Sequence, residues 1–97
     1  MSVLCRHEGD TLTLSGEIDF GNAGEALDQG RRAIESSARL RVDLSGVSRS
    51  NSAGLALLIE WLGIARRCGH SVSFAGVPHG LQQLAEVCQV DGLLKAA

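Results

Sequence analysis

The chain has 97 residues, nine basic and eleven acidic side chains for a formal net charge of −2, and a hydrophobic content of 44% with only 3% aromatic residues. That length holds one domain over residues 1–97 with a single modest core, and the scarcity of aromatics means that Leu, Val, Ile and Ala must build it. The absence of a Lys/Arg stripe argues against nucleic acid as the main partner. No apolar run reaches the ~20 residues of a membrane span, and Met1–Arg6 lacks the apolar segment of a secretory leader. Cys5, Cys68 and Cys88 are odd in number and without CxxC spacing, so free thiols in a soluble cytoplasmic protein are expected. Cys68 and Cys88 fall on apolar helix faces and are expected to pack as small hydrophobes.

Val3–His7 reads as a first strand, Gly9-Asp10 as a turn, and Thr11-Leu12-Thr13-Leu14 as an alternating second strand that runs on to Gly16-Glu17-Ile18-Asp19. A helix follows. Asn22 with Glu25 three residues later has capping-box spacing. Ala23, Ala26, Leu27, Gly30 and Ile34 recur on one face, with Glu25, Asp28, Arg31, Arg32 and Glu35 on the solvated side. Ser36-Ser37 ends this helix.

Leu40–Leu44 alternates as a strand, and Ser45–Asn51, rich in Ser, Gly and Asn, reads as a loop. From Ser52 to Cys68 apolar residues recur at helical spacing. Leu55, Leu58, Ile59, Leu62 and Ala65 form one stripe, and Leu57, Trp61, Ile64 and Cys68 a second beside it. Together they span roughly 220°, where a core-facing side needs ~100° or somewhat more. The surplus calls for a cover, either a neighbouring helix or a partner protein, and Leu57, Trp61 and Ile64 are the interface candidates for the second case. Gly69-His70 stops the helix. Ser71–Ala75 alternates as a strand, 76–80 is a loop, and Leu81, Leu84, Ala85 and Cys88 mark a last short helix. Val90–Leu94 is expected to return as a terminal strand. The order β-β-α-β-α-β-α(-β) predicts an α/β fold, a small mixed sheet of about four to five strands with three to four helices on one or both faces.

No catalytic constellation is apparent. Gly-x-Ser-x-Gly, phosphate-loop and dinucleotide motifs are absent. His7, His70 and His79 have no metal-ligand spacing among themselves or with Cys, so no cofactor, metal or enzymatic activity is expected. Attention falls instead on the strand, polar loop and helix start from Asp43 to Leu55. A helix start exposes unpaired N–H groups and the positive end of the dipole. A hydroxyl there, such as Ser52, can cap the helix, carry a phosphate or meet a partner.

Asp43-Leu44-Ser45 followed by Asn51-Ser52-Ala53-Gly54-Leu55 resembles the signature of STAS domains (sulfate transporters and anti-sigma-factor antagonists). On that resemblance Ser52 matches the phosphorylated hydroxyl of the regulatory members, Gly54 the glycine after it, and Asp43 the acidic residue ending the preceding strand. Asn51 departs from the Asp usual in the family. The stretch 51–58, Trp61, Ala65-Arg66, Gly69, Val77-Pro78 and Val90–Leu94 look like the Mla-type STAS subunits of bacterial inner-membrane ABC transporters for phospholipids. The resemblance covers roughly Val3–Leu94. It implies a non-catalytic, cytoplasmic binding subunit, peripheral to the inner membrane, that engages the transporter's ATPase subunit and supports outer-membrane lipid asymmetry. Ser52, Asn51, Asp43 and Gly54 become the partner-contact or phospho-acceptor candidates. The alternative it implies is an anti-sigma-factor antagonist switched by phosphorylation at Ser52.

Overall fold

In the computed structural model, which describes residues 3–96 with side chains through Leu94, the chain opens on the expected hairpin. Strands β1 (Val3–Glu8) and β2 (Thr11–Ile18) pair antiparallel around Gly9-Asp10. Met1 and Ser2, part of the stretch read for a leader, lie outside the described residues. Then follow α1 (Ala23–Ser36), β3 (Arg39–Ser50), α2 (Ser52–Cys68), β4 (Ser71–Ala75), α3 (His79–Val87) and α4 (Asp91–Ala96). The sheet order is β1-β2-β3-β4, with β3 parallel to both β2 and β4.

The two faces of the sheet are chemically unlike. Leu12 of β2 sits beside Val42 of β3, and Leu40 of β3 beside Val72 of β4. These four and Leu14, Ile18 and Leu44 are buried, so this face carries the core. The alternate positions form the rows Thr11–Arg41–Ser73 and Thr13–Asp43–Ala75, half-buried or exposed and mostly polar. The period-2 alternation therefore sends most large apolar strand positions toward the helices and leaves the other face open, with Leu4 of β1 an exposed exception.

Helix α2 lies at the centre of the helical layer. It packs against α1, α3 and β4, and Trp61 of its second stripe is covered by α1. Leu57, Trp61 and Ile64 are 3%, 0% and 5% exposed. The indole of Trp61 lies flush on Gly30 of α1, where a Cβ would overlap ring atoms, and its Nε1–H donates to the Leu27 carbonyl over 3.3 Å. The expectation that these three residues meet a partner is thus corrected. The apolar surplus of α2 is consumed inside the chain, because Ala26, Gly30, Ala33 and Ile34 give α1 a small-residue face that lets the helices close on a Trp.

Four other readings also change. The strand expected over Leu40–Leu44 continues to Ser50, because Gly16, Glu17 and Ile18 of β2 supply backbone partners to Val47, Arg49 and Ser50, with register shifts on the way. The expected terminal strand at Val90–Leu94 is instead the start of α4, where Asp91 occupies the first turn, a favourable place for a carboxylate. Asn22 and Glu25 do not form a capping box. Asn22 is nearly buried, and its side chain turns back into the β2–α1 loop, its Oδ1 accepting from Asp19 N–H and its Nδ2 donating to Glu17 carbonyl. Cys68 and Cys88 are exposed, beyond the edge of their apolar stripes.

The last point has a direct test. All three cysteines are free. Cys5 is half-buried on β1, and burial, followed by the nearby Glu25 charge, pushes its thiol pKa up. Since the thiolate is the reactive form, a disulfide reagent at neutral pH should label Cys68 and Cys88 rapidly and Cys5 only slowly. Cys5 should become as fast as the others in denaturant. Uniform kinetics in the native protein would contradict this placement.

Candidate functional site

Strands β2, β3 and β4 run parallel, and α1, α2 and α3 each follow one of them. Three helix N-termini therefore gather at the end of the sheet where the parallel strands finish, the end where α/β folds usually place their binding surfaces. The candidate residues Asn51 and Ser52 are there, at the step from β3 into α2.

The step is built tightly. Asn51 is the N-cap of α2, in extended conformation, with its Oδ1 accepting from the Ala53 N–H at 2.8 Å. Its backbone carbonyl accepts from the Gly54 N–H at 2.9 Å. Gly54 is favoured by close approach, since a Cβ would overlap the Ser50 Oγ, forcing that hydroxyl to turn away, and press on Leu81 of α3. Ser52 is the first helical residue and is exposed. The cap duty, open between Ser50, Asn51 and Ser52 in the sequence, belongs to Asn51, which leaves the Ser52 hydroxyl free of any cap bond to α2. No acidic residue occupies the first turn of α2, so its positive end is not neutralised from within.

Asp43 does not join them. It lies within β3 and not at its end, opposite Thr13 and Ala75 on the open face of the sheet. At ~3.3 Å per strand residue it is on the order of 20 Å from Ser52 along the strand. Its Oδ1 accepts from the Ser45 hydroxyl at 2.7 Å and the Ser45 N–H at 2.9 Å. Those two bonds, helped by the Arg41 charge, hold its carboxyl below the usual Asp range. Asp43 thus shapes the strand near its bend at Ser45 and is not part of the Ser52 surface.

The histidines are dispersed. His70 Nδ1 faces the Ile34 carbonyl at 2.7 Å and His7 Nε2 the Gly9 carbonyl at 2.9 Å, so in each case the ring nitrogen is the donor. His79 opens α3. Among the described residues no group of three or more His, Cys, Asp and Glu is placed to hold a metal, and no helix is long and apolar enough to cross a membrane.

A residue not singled out in the sequence also belongs to this end of the molecule. Phe20, in the β2–α1 loop, is 75% exposed. Ile18 pairs with Ser50 across the β2–β3 ladder, so Phe20 and Ser52 each stand two residues past the same rung. The only sequence signal was an aromatic between the turn residues Asp19 and Gly21, in a chain with few aromatics.

The division of labour at α2 predicts a stability pattern. Asn51→Ala should cost ~1 kcal/mol, the ordinary loss of an N-cap. Asn51→Asp should hold or slightly raise stability, since Asp caps as well and gains ~0.3–1 kcal/mol from the dipole. Ser52→Ala should be near neutral. Thermal melts of the three variants decide it, and a larger loss for Ser52→Ala than for Asn51→Ala would contradict the assignment of the cap.

Comparison with known proteins agrees with this geometry. The family model described as "Mlab, STAS domain" matches residues 3–95. The intermembrane phospholipid transport system binding protein MlaB of Escherichia coli (strain K12) is 35% identical over 79 residues, covering 81% of this chain and 79% of that protein. The MlaB protein of Shigella flexneri matches to the same extent. Among solved structures, the unphosphorylated anti-sigma factor antagonist SpoIIAA superposes with a TM-score of 0.72 at 10% identity, covering 93% of this chain and 83% of that one. A STAS domain protein from Planctomyces limnophilus superposes with a TM-score of 0.69 at 13% identity, covering 96% and 86%. These likenesses show a shared fold. With the family model matching nearly the whole described chain and the MlaB proteins matching most of it, the chain belongs to the STAS domain family, in its MlaB branch.

Proposed function

We propose that this chain is a non-catalytic subunit of a bacterial phospholipid-transport ABC transporter, acting on the cytoplasmic side of the inner membrane by binding the transporter's ATPase subunit. The observation that carries the reading is the 35% identity to MlaB, a binding protein of an intermembrane phospholipid transport system, over 81% of this chain. The arrangement at the start of α2 supports a contact surface. Ser52 is exposed and free of cap duty, on a helix end held by Asn51 and Gly54. Asn51 supplies a neutral amide committed to the Ala53 N–H, which suits a constitutive contact better than a phosphate-driven switch. The role proposed is binding and not turnover, in keeping with the description of the MlaB relatives as binding proteins.

The test is direct. The domain, carrying an affinity tag in its own host, should retain the ATPase and permease subunits of one ABC transporter, and the purified ATPase subunit should bind it in calorimetry. Retention of a sigma-factor regulator or its kinase in place of the transporter subunits would overturn the reading in favour of an anti-sigma-factor antagonist.

A further inference from the structure

We infer that the Asn51-Ser52 link is a site of spontaneous deamidation, at which the Ser52 backbone nitrogen closes on the Asn51 side chain and the neutral start of α2 becomes acidic. The chemistry stands on this structure alone. Its effect on ATPase binding rests on the functional reading above.

The chain has two asparagines, Asn22 and Asn51, and they are held in opposite ways. Asn22 is 9% exposed, its Oδ1 accepts from the Asp19 N–H, and its Nδ2 donates to the Glu17 carbonyl. The nitrogen that would attack its side chain, that of Ala23, donates its proton to the Asp19 carbonyl at 3.0 Å. Asn51 is exposed. Its Nδ2, the group that must leave, makes no hydrogen bond among the described residues. The nitrogen after it belongs to Ser52, the first residue of α2, and is one of those that a helix start leaves without an acceptor. The small Ser52 side chain does little to shield it. Asn51 itself stands outside the helix in extended conformation, with φ −120° and ψ −162°. The rotation about ψ that ring closure needs is therefore made before the helix begins.

The surroundings favour each step. Hydroxide removes the Ser52 amide proton, and the nitrogen attacks Asn51 Cγ. The positive end of the α2 dipole stabilises the amide anion, with no acidic residue in the first turn to oppose it. The Ala53 N–H already donates to Asn51 Oδ1 at 2.8 Å, and that oxygen is the one on which negative charge develops. The bond from Cγ to Nδ2 then breaks, Nδ2 takes a proton from water and leaves as ammonia, and a succinimide ring remains. Water opens the ring at either carbonyl to give an aspartyl or an isoaspartyl residue at position 51. Both products carry a new carboxylate beside Ser52. The isoaspartyl product also reroutes the main chain through the former side chain, which displaces the cap of α2. The neutral contact surface thus has a limited lifetime built into its own cap residue.

The experiment uses the full chain. The folded protein is incubated in mildly alkaline buffer and digested with trypsin, which puts the two asparagines on separate peptides. Mass spectrometry then follows the loss of ammonia and gain of water. Asn51 should convert at least ~10-fold faster than Asn22, a ratio equal to ~1.4 kcal/mol in barrier. In denaturant the two rates should approach each other, since the bonds that protect Asn22 are gone. Ser52→Pro removes the attacking N–H and suits the first helical position. The extended backbone of Asn51 accepts a following proline, so this variant should fold and keep Asn51 intact. Equal rates at Asn51 and Asn22 in the native protein would overturn the site, and so would unchanged conversion in Ser52→Pro. Ion exchange separates the converted fraction by its extra negative charge, and this fraction should bind the purified ATPase subunit at least ~10-fold more weakly than the unconverted one. Equal affinity of the two fractions, in a titration where Ser52→Glu fails to bind, would overturn the effect on binding. An unconverted domain that does not bind the ATPase at all would overturn the functional reading and leave the deamidation site standing.

Discussion

Trp61→Ala should lower the stability of the domain by ~3–5 kcal/mol, the usual cost of emptying a large aromatic site, out of a total of roughly 5–15 kcal/mol for a domain of this kind. At ~4–8 °C per kcal/mol the melting temperature should fall by tens of degrees. The ring is completely buried and fills the space that Gly30 leaves on α1. The same contact fails from the other side. Gly30→Ala gains up to ~1 kcal/mol of helix propensity, but the new methyl group would occupy the positions of Trp61 Nε1, Cε2 and Cζ2, and overpacking of that kind costs ~1–3 kcal/mol. Gly30→Ala should therefore destabilise, against its propensity. Phe at position 61 lacks the overlapped part of the ring, so Gly30→Ala should cost less in a Trp61→Phe background than alone. Chemical denaturation of the two single variants and the double variant measures that coupling, and strict additivity would contradict the contact. Fluorescence supplies a check on the intact protein. Trp61 is the sole Trp, so the native emission should already be blue, should redden on unfolding and should not move when the ATPase binds.

The same helix shows how much of this protein is legible in its sequence. Apolar spacing placed α2 at Ser52–Cys68, residue for residue, and the width of its apolar arc required two covers. What covers the second stripe could not be read. The answer lies in a match of sizes between Gly30 and Trp61, residues on different helices, and periodicity within one helix carries no information about the volume facing it. The continuation of β3 through Ser45–Ser50 was hidden for a different reason. Ser, Gly and Arg there have loop composition, but the strand exists because β2 offers hydrogen-bonding partners, and only Val47 within that segment points to the core. Asn22 was misread because a side chain amide can bond forward into its helix or back into its loop with the same spacing to Glu25. At the candidate site, the pattern at 51–54 identified the helix start and its glycine, since caps and close approaches are local. The separation of Asp43 from Ser52 depended on the length of β3, and the exposure of Phe20 depended on the β2–β3 ladder, so neither could be seen from local order.

Ser52→Glu should leave the domain folded and abolish most of its affinity for the ATPase subunit. Folding is safe on three counts. Ser52 is exposed, its hydroxyl is not the cap, and its side chain fills no part of the core. A carboxylate in the first turn of α2, where none now exists, gains ~0.3–1 kcal/mol from the helix dipole, so the melting temperature should hold or rise slightly. Binding follows the opposite sign. A contact surface that closes over Ser52 would strip water from the new carboxylate with no cation supplied to meet it. The cost of an unpaired charge at a closed interface is several kcal/mol, and ~1.4 kcal/mol is a factor of ten in affinity, so the loss should reach orders of magnitude. Ser52→Ala provides the reference, since it removes the hydroxyl without adding charge and should bind within a few-fold of the wild type. Melting temperature and dissociation constant measured on the same preparations separate the two effects. A folded Ser52→Glu variant with wild-type affinity would move the contact surface away from the start of α2 and leave Ser52 as an ordinary exposed residue of the first helical turn.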